Sequence, residues 1–260
     1  MAPTIEMPDK PISDFYDALA HDYDQMTSFE ARLVSERPFL RLLVEQNGIR
    51  SAVDAGAGSG FHSILLAQLG VSVTAVDLSQ VMLDALIRNA AHKGLSVKVL
   101  QTSLRDLPKR FHEAVDGLFC MGNTVAHLVD ARELDATLAA FRHVLKPEGS
   151  LILQMLNYDK ILGERQRIQS VREAGGATYV RFYDFAEDRL VFNVVKLDHR
   201  DGVARQHHLS IPLKPWKSDE LKSALVAAGF RRIESFGSIA LEPFEPGKSK
   251  DLVVIAHGPS

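Results

Sequence analysis

The sequence has 260 residues, of which 46% are hydrophobic and 24% are charged, and its formal net charge is −3. This composition predicts a folded chain of one domain or two small ones, without the global basic field that a nucleic-acid backbone attracts. The single cysteine, Cys120, excludes an internal disulfide framework, and no stretch reaches the roughly 18 apolar residues of a membrane span. We therefore expect a cytoplasmic protein that binds neither membranes nor nucleic acid.

The N-terminal part of the chain predicts an arm and two helices. Residues 1–12 contain three prolines and predict a loose arm. Apolar and aromatic residues at spacings of three and four then predict an amphipathic helix over 12–26. A second helix is predicted over 28–46, interrupted or kinked at Pro38, because the residue before a proline disfavours helical geometry.

From residue 51 onward, short apolar strands alternate with helical patterns. The predicted strands are 51–55, 71–76, 96–101, 115–120 and 149–156, and the predicted helices are 60–69, 79–93 and 131–145. Residues 146–149 are predicted as a turn before the last of these strands. The alternation indicates an α/β chain with a Rossmann-like, doubly wound, mostly parallel sheet. Ligands bind such sheets beyond the carboxyl ends of the strands.

Residues 160–215 break this alternation. Strand-like patterns over 177–185, 189–197 and 204–211 predict an antiparallel meander, which we interpret as a lid over the substrate. A helix over 218–228 and strands over 230–236 and 251–256 would complete a seven-stranded sheet. The predicted division is an arm and lid helix (1–27), a Rossmann-like domain (28–157 and 216–260) and an inserted β lid (158–215).

The first strand of the alternation ends in a glycine-rich loop with the spacing D-x-G-x-G-x-G, from Asp54 to Gly60. Gly56 and Gly58 would let the backbone approach a ligand closely, at the start of a helix whose N–H groups face it. The second strand ends in Asp77, which could accept hydrogen bonds from both hydroxyls of a ribose. Together these features resemble the S-adenosylmethionine site of the class I methyltransferases. The resemblance implies cofactor contacts by a set of loop and strand-end residues: Asp54, Gly56, Ala57, Gly58, Asp77, Leu78, Met82, Ser103 and Leu104.

Two further stretches are similar to the glycine N-methyltransferases, namely C-M-G-N-T-V-A-H-L at 120–128 and N-Y-D-K-I-L at 157–162. The Y-D pairs at Tyr16 and Tyr23 also resemble the N-terminal lid of small-molecule methyltransferases, and the likeness spans roughly 14–162. It implies that the cofactor contacts include Tyr16, Tyr23, Arg32, Met121 and His127. It assigns substrate binding to Asn123, and we add Asn157, Tyr158 and the lid residue Arg181 as candidates. Tyr16 and His127 are the candidate catalytic residues.

One position departs from that family. The residue immediately before N-Y-D, where the family has an arginine for the substrate carboxylate, is Leu156. Leucine cannot form the bidentate contact of an arginine with a carboxylate. If Leu156 borders the acceptor pocket, glycine and sarcosine should be poor acceptors and a larger or less charged amine should be preferred. Arg165, Arg167 or Arg181 of the lid would be the alternative cations.

The expected activity is transfer of a methyl group from S-adenosylmethionine to a small molecule, at an amine nitrogen. The alternatives are a small-molecule O-methyltransferase and a S-adenosylmethionine-binding partner without activity. A nicotinamide oxidoreductase is disfavoured by the loop spacing. We expect no metal, since no Cys/His cluster has metal-binding spacing, and the sequence leaves the oligomeric state and the acceptor open.

Overall fold

The computed structural model describes residues 11–199 and 205–259, so most of the predicted arm, residues 1–10, lies outside the described part. The helices are α1 Ile12–Thr27, α2 Phe29–Gln46, α3 Phe61–Gln68, α4 Gln80–His92, α5 Leu107–Arg110, α6 Ala131–Val144, α7 Tyr158–Glu164 and α8 Ser218–Ala227. The strands are β1 Ser51–Ala55, β2 Ser72–Asp77, β3 Lys98–Gln101, β4 Val115–Cys120, β5 Leu145–Leu156, β6 Ile168–Ala174, β7 Ala177–Phe185, β8 Leu190–Asp198, β9 Arg205–Leu213, β10 Arg231–Phe236 and β11 Asp251–His257. None of the described helices is both long enough and apolar enough to cross a membrane.

Seven strands form one sheet in the order β10-β11-β5-β4-β1-β2-β3. Strands β1 to β5 are parallel, whereas β11 is antiparallel to both β5 and β10. The predicted Rossmann-like, mostly parallel sheet is therefore confirmed. The strand order reverses between β1 and β4, so the loops that follow these two strands diverge and leave a crevice at the switch point. The glycine-rich loop and the loop that begins at Met121 border this crevice.

The central strands of this sheet are apolar on both faces because helices cover both. Val53 of β1, Leu118 of β4 and Leu151 of β5 are fully buried in one core cluster. The opposite face buries Ala52 and Phe119 against α2 and α3, in a separate cluster. This two-sided burial is what near-continuous apolar runs in parallel strands indicate.

A second sheet of four antiparallel strands has the order β6-β7-β8-β9. The sequence predicted β7, β8 and β9 but not β6, because β6 is an edge strand without a regular alternation of buried and exposed residues. Helix α7 was also not predicted. It has only seven residues, and its N-terminus is capped by the Asn157 side chain, which accepts from the Lys160 N–H.

Two local predictions differ from the structure. No interruption occurs at Pro38, because helix α2 continues through it. The residues that follow, Phe39, Leu40 and Leu43, are buried in the core, and this packing outweighs the hydrogen bond that a proline removes. Residues 146–149 are not a separate turn, because β5 begins at Leu145 and contains them as an irregularity in its pairing with β4.

Helix α1 is bonded to the glycine-rich loop and α4 on one side and to the four-stranded sheet on the other. The Asp24 carboxylate accepts from Ser59 Oγ of the glycine-rich loop (2.5 Å) and from Asn89 of α4 (2.8 Å). On the other side, Asp22 accepts from Lys196 Nζ of β8 (2.7 Å) and from the Tyr179 hydroxyl of β7 (3.0 Å). The helix is therefore held as a bridge over the carboxyl ends of the parallel strands.

Candidate active site

A cavity opens at the carboxyl ends of β1, β2 and β4, under α1, with about 1100 Å³ of empty space when its open mouth is included. Of the 14 residues predicted to contact the cofactor, 13 line this cavity, and Asp54 does not. The lining residues among them are Tyr16, Tyr23, Arg32, Gly56, Ala57, Gly58, Asp77, Leu78, Met82, Ser103, Leu104, Met121 and His127. The structure thus brings together residues that are up to 111 positions apart in the chain.

The glycine-rich loop is bent so that its backbone faces this cavity. The Gly56 and Ala57 N–H groups donate to the Val76 carbonyl of β2, at 2.8 and 3.0 Å. Gly56 and Gly58 have φ angles of +77° and +53°, in the region that favours glycine. A Cβ at Gly56 would lie 2.5 Å from Thr124 Cγ2, whereas a Cβ at Gly58 would have as its nearest neighbour the Tyr23 ring at 3.9 Å. Gly58 therefore keeps open the space between the loop and α1.

Asp77 joins the loop to the end of β2. Its Oδ2 accepts from the Gly58 N–H at 2.8 Å, and its Oδ1 accepts from the Ser79 N–H at 2.9 Å. Burial raises the pKa of Asp77, and these backbone hydrogen bonds oppose that rise. Each carboxylate oxygen retains a second acceptor site, so the carboxylate can accept two hydroxyl groups from a ligand in the cavity.

Asp54 lies beneath the loop. It is almost completely buried, and its Oδ2 accepts from Ser63 Oγ of α3 at 2.6 Å. Burial raises its pKa, although the nearby His62 and the bond from Ser63 oppose the rise. The geometry gives Asp54 a role in holding β1 to α3, one layer away from the cavity that it was expected to line.

The Arg32 guanidinium forms the outer wall of the cavity. It lies over the Phe61 ring, 4.1 Å from the ring centroid, and its Nε donates to Glu36 Oε1 at 2.7 Å. Burial raises the pKa of Glu36, but the hydrogen bonds and charges of His62 and Arg32 outweigh this, and the net pKa is lowered. The carboxylate therefore stays ionised and keeps the guanidinium in place.

A second, smaller cavity lies on the other side of α1, between the two sheets, with about 480 Å³ of empty space when its open mouth is included. It shares five lining residues with the larger cavity, namely Tyr16, Tyr23, Thr27, Gly122 and His127. Aromatic and aliphatic side chains form much of its remaining wall: Phe15, Leu19, Met26, Tyr183, Phe192 and Leu213. The two cavities are therefore separated by a wall of α1 tyrosines and one histidine.

Within that wall, the Tyr16 hydroxyl and His127 Nε2 are 2.7 Å apart. Burial lowers the pKa of His127 to about 4 and raises the pKa of Tyr16 well above its usual value of 10.0. Both groups are consequently neutral near pH 7. His127 Nδ1 is buried and has no hydrogen-bond partner in the described part of the chain.

The structure separates the four predicted substrate residues into two pairs. Asn123 and Arg181 line the smaller cavity. Tyr158 lies behind Asn123, and its hydroxyl is 2.8 Å from the Asn123 side-chain nitrogen. Asn157 is fully buried elsewhere, where its side chain donates to the carbonyls of Pro246 and Ser249. Tyr158 therefore supports the loop at Asn123, Asn157 holds the segment at 246–249, and neither residue lines the cavity.

Leu156 does not line either cavity. Its backbone N–H donates to Asn123 Oδ1 at 3.1 Å, and its side chain packs against the main core cluster. The expectation that residue 156 borders the acceptor pocket is wrong, because this strand end turns its side chain into the core. The argument against glycine as an acceptor therefore loses its basis.

The sequence analysis missed several lining residues, above all Gln169 of β6 and Phe192 of β8 in the smaller cavity and Glu133 and Thr137 of α6 in the larger one. The strand containing Gln169 was itself not predicted. Glu133 and Thr137 are four residues apart on a predicted helix, and this spacing was the available signal that both share one face.

Comparison with known proteins shows the family of the chain. Residues 52–149 match the methyltransferase domain family. A glycine/sarcosine N-methyltransferase of Aphanothece halophytica is 29% identical over 232 residues, which cover 86% of this chain and 83% of the relative. A glycine/sarcosine N-methyltransferase of Parasynechococcus marenigrum (strain WH8102) is 30% identical over 227 residues, which cover 87% of this chain and 77% of the relative. The chain belongs to the class I S-adenosylmethionine-dependent methyltransferases.

The fold of this methyltransferase is shared by a solved S-adenosylmethionine-dependent methyltransferase from Clostridium acetobutylicum ATCC 824. The TM-score is 0.81 over 94% of this chain and 99% of the other, at 16% identity. The predictions of the family, of the methyltransferase activity and of S-adenosylmethionine as cofactor are thereby confirmed.

Proposed function

We propose that this methyltransferase methylates the nitrogen of a small amine that binds in the smaller cavity. The observation that carries the proposal is the shared wall of Tyr16, Tyr23 and His127, which faces the cofactor cavity on one side and the smaller cavity on the other. In-line methyl transfer needs direct contact between the two ligands, so the cavities would open into each other beside this wall, where Gly122 also lines both. The names of the relatives, which are glycine/sarcosine N-methyltransferases, support an amine as the acceptor.

The larger cavity has the donors and acceptors that S-adenosylmethionine needs. Asp77 would accept the ribose hydroxyls, and the loop at Gly58 would lie against the methionyl part. Arg32 would bind the methionyl carboxylate, because its guanidinium lines the cavity and keeps donors beyond the Nε that Glu36 occupies. Met82, Ser103 and Leu104 would surround the adenine. These assignments follow from the lining of the cavity and the chemistry of each side chain.

When bound, S-adenosylmethionine supplies an electrophilic methyl carbon, so that the N–C bond forms while the S–C bond breaks and its electron pair remains on sulfur. The protein's part is to hold the acceptor nitrogen in line. Tyr16 and His127 would do so, since a neutral imidazole and a phenol hydroxyl can hydrogen-bond an amine without repelling a positively charged sulfur. Orientation of this kind corresponds to effective molarities of about 10⁵–10⁸ M.

The four-stranded sheet would serve as the substrate lid. It contributes Arg181, Tyr183 and Phe192 to the smaller cavity, while the seven-stranded sheet contributes the loop at Asn123. The acceptor would therefore be enclosed between the sheets, and its nitrogen would meet the methyl group of the cofactor at the boundary near Tyr16, Gly122 and His127.

The test is turnover with methyl-labelled S-adenosylmethionine and a panel of small amines, amino acids, phenols and carboxylic acids. We expect label in an N-methyl product, identified by mass spectrometry, and none in RNA or duplex DNA added as controls. A label found only in an O-methyl product would contradict the proposal. Tight cofactor binding without turnover of any acceptor would instead support a binding protein.

A further inference from the structure

Strand β6 contains a bulge at the edge of the smaller cavity. Ile168 is paired with Phe182 of β7, and Ser170 is paired with Arg181, so two steps along β6 match one step along β7. The extra residue is Gln169. Bulges of this kind change the direction of side chains and are over-represented next to active sites.

The bulge places neighbouring side chains on the same side of the sheet. In a regular strand, Gln169 and Ser170 would point to opposite faces. Here Ser170 Oγ accepts from Arg181 Nε at 2.7 Å, and both Arg181 and Gln169 line the smaller cavity. The bond to Ser170 holds the guanidinium at Nε, and the two terminal nitrogens, Nη1 and Nη2, remain for another partner.

Arg181 has no carboxylate partner within residues 11–199 and 205–259. It is also the only Arg or Lys side chain among the described residues that line the smaller cavity, and that lining contains no Asp or Glu. Burial lowers the pKa of Arg181, and the nearby Tyr23 and Tyr183 oppose the change. A guanidinium remains protonated in proteins, so the cavity contains an uncompensated positive charge.

Gln169 provides a complementary group. Its Oε1 is buried and has no hydrogen-bond partner in the described part of the chain. A buried acceptor without a partner is unfavourable, and an N–H group of a bound ligand would satisfy it. The cavity therefore offers the Arg181 guanidinium as a cation and Gln169 Oε1 as an acceptor for an N–H group. Phe192 and Leu213 contribute apolar surface to the same lining.

We infer that the bulged strand builds a recognition site for an amine that also carries a carboxylate, with Arg181 binding the carboxylate and Gln169 accepting an N–H of the acceptor. The inference rests on the proposed function, to which it adds a substrate class and two specificity-determining residues. A carboxylate matches the planar fork of a guanidinium, which can donate two parallel N–H···O bonds to it. The cation comes from the inserted sheet and not from the end of β5, where Leu156 stands.

The experiment compares matched acceptors and matched variants. Glycine and alanine are each measured against glycinamide and alaninamide, which lack the negative charge. The amides are less basic, so more of their amine is unprotonated at neutral pH, and a preference for the acids would not arise from amine protonation. The variants are Arg181→Met, Arg181→Lys and Gln169→Leu. Arg167→Met is the control, because Arg167 is an exposed arginine of the same lid paired with Asp184 outside both cavities.

We expect the wild-type protein to prefer the acids. Arg181→Met should lower kcat/KM for the acids by about tenfold or more, mainly by raising KM. The same variant should change kcat/KM for the amides by less than about threefold. Arg181→Lys should retain part of the activity with the acids, Gln169→Leu should raise KM for both pairs, and Arg167→Met should resemble wild type. Thermal unfolding of each variant checks that the fold is retained.

Equal turnover of acids and amides, unaffected by Arg181→Met, would overturn the inference and leave amine methylation standing. If no amine is methylated, calorimetry tests the carboxylate site separately. Alanine is titrated into the complex of the protein with S-adenosylhomocysteine, and its binding is measured. Binding that disappears in Arg181→Met and persists in Arg167→Met would support the carboxylate site even though the proposed function had failed. Absence of alanine binding to the wild-type complex would overturn it.

Discussion

The Tyr16 hydroxyl lies 2.7 Å from His127 Nε2, although Tyr16 belongs to α1 and His127 follows β4, 111 residues later. Neither residue would face a ligand on its own. The strand end brings His127 to the crevice, and α1 brings Tyr16 over it because Asp24 bonds the helix to the glycine-rich loop and Asp22 bonds it to the four-stranded sheet. The active site is therefore complete only when the N-terminal helix is docked.

Replacing Tyr16 by phenylalanine should lower kcat/KM for the amine acceptor by about tenfold or more, because loss of one buried hydrogen bond misorients the acceptor. The affinity for S-adenosylmethionine should change by less than about threefold, since the ring remains. Steady-state kinetics and calorimetry measure the two effects. Tyr179→Phe is the control, as it removes a hydroxyl that bonds α1 through Asp22 but lines neither cavity. An equal loss of activity in both variants would mean that Tyr16 only anchors the helix.

The burial of His127 predicts a dependence of stability on pH. Its pKa is lowered to about 4 in the folded state, against an ordinary value of 6.5. Between these values the unfolded chain binds the proton and the folded chain does not, so His127 contributes a loss of stability as the pH falls from about 6.5 to 4. The free energy of unfolding, measured by denaturant titration at pH 5 and 7, should fall less in His127→Asn than in wild type. An imidazole that titrates above pH 6 by NMR would contradict this.

Gly58→Val should abolish binding of S-adenosylmethionine. The residue has a φ of +53°, and its Cβ would enter the space between the loop and the Tyr23 ring. Gly70→Val is the matched control, because Gly70 has a φ of +82° and a Cβ there has nothing within 4 Å. Both variants should be destabilised by backbone strain, but only Gly58→Val should lose cofactor binding in calorimetry. Normal binding by Gly58→Val would remove the loop from the site.

Much of the cofactor cavity was predictable because its residues belong to local patterns. The glycine spacing, the acid at Asp77 and the alternation of strands and helices each leave a signature within about 20 residues. The acceptor cavity was not predictable in this way. Gln169 reaches it through a β-bulge in an edge strand, and a bulge depends on pairing with β7 that no periodicity in β6 reveals.

Leu156 shows the limit of an argument from one aligned position. We expect Leu156→Arg not to raise activity on glycine, since the residue lies outside both cavities. Leu156 pairs with Asp251 on the neighbouring strand β11. A guanidinium at position 156 would therefore form an ion pair with the Asp251 carboxylate and would not bind the substrate. The measurement is kcat/KM for glycine in wild type and variant. A gain of tenfold or more would restore residue 156 to the acceptor pocket.

Asp77 and Asp54 were both expected to contact the cofactor, and the structure gives them different roles. Asp77→Asn should weaken S-adenosylmethionine binding about tenfold or more, because a ribose-hydroxyl acceptor is lost and an amide N–H₂ would face the Gly58 or Ser79 N–H. Some destabilisation should accompany it, since the carboxylate also holds the loop.

Asp54→Asn provides the comparison. Its carboxylate bonds Ser63 and lies outside the cavity, so the variant should change the free energy of unfolding more than the cofactor affinity. Calorimetry and denaturant titration of both variants separate the two roles. If Asp54→Asn weakened binding as much as Asp77→Asn at equal stability, Asp54 would contact the cofactor after all. If Asp77→Asn bound normally, the ribose would lie elsewhere, and the placement of the adenine near Met82, Ser103 and Leu104 would have to change with it.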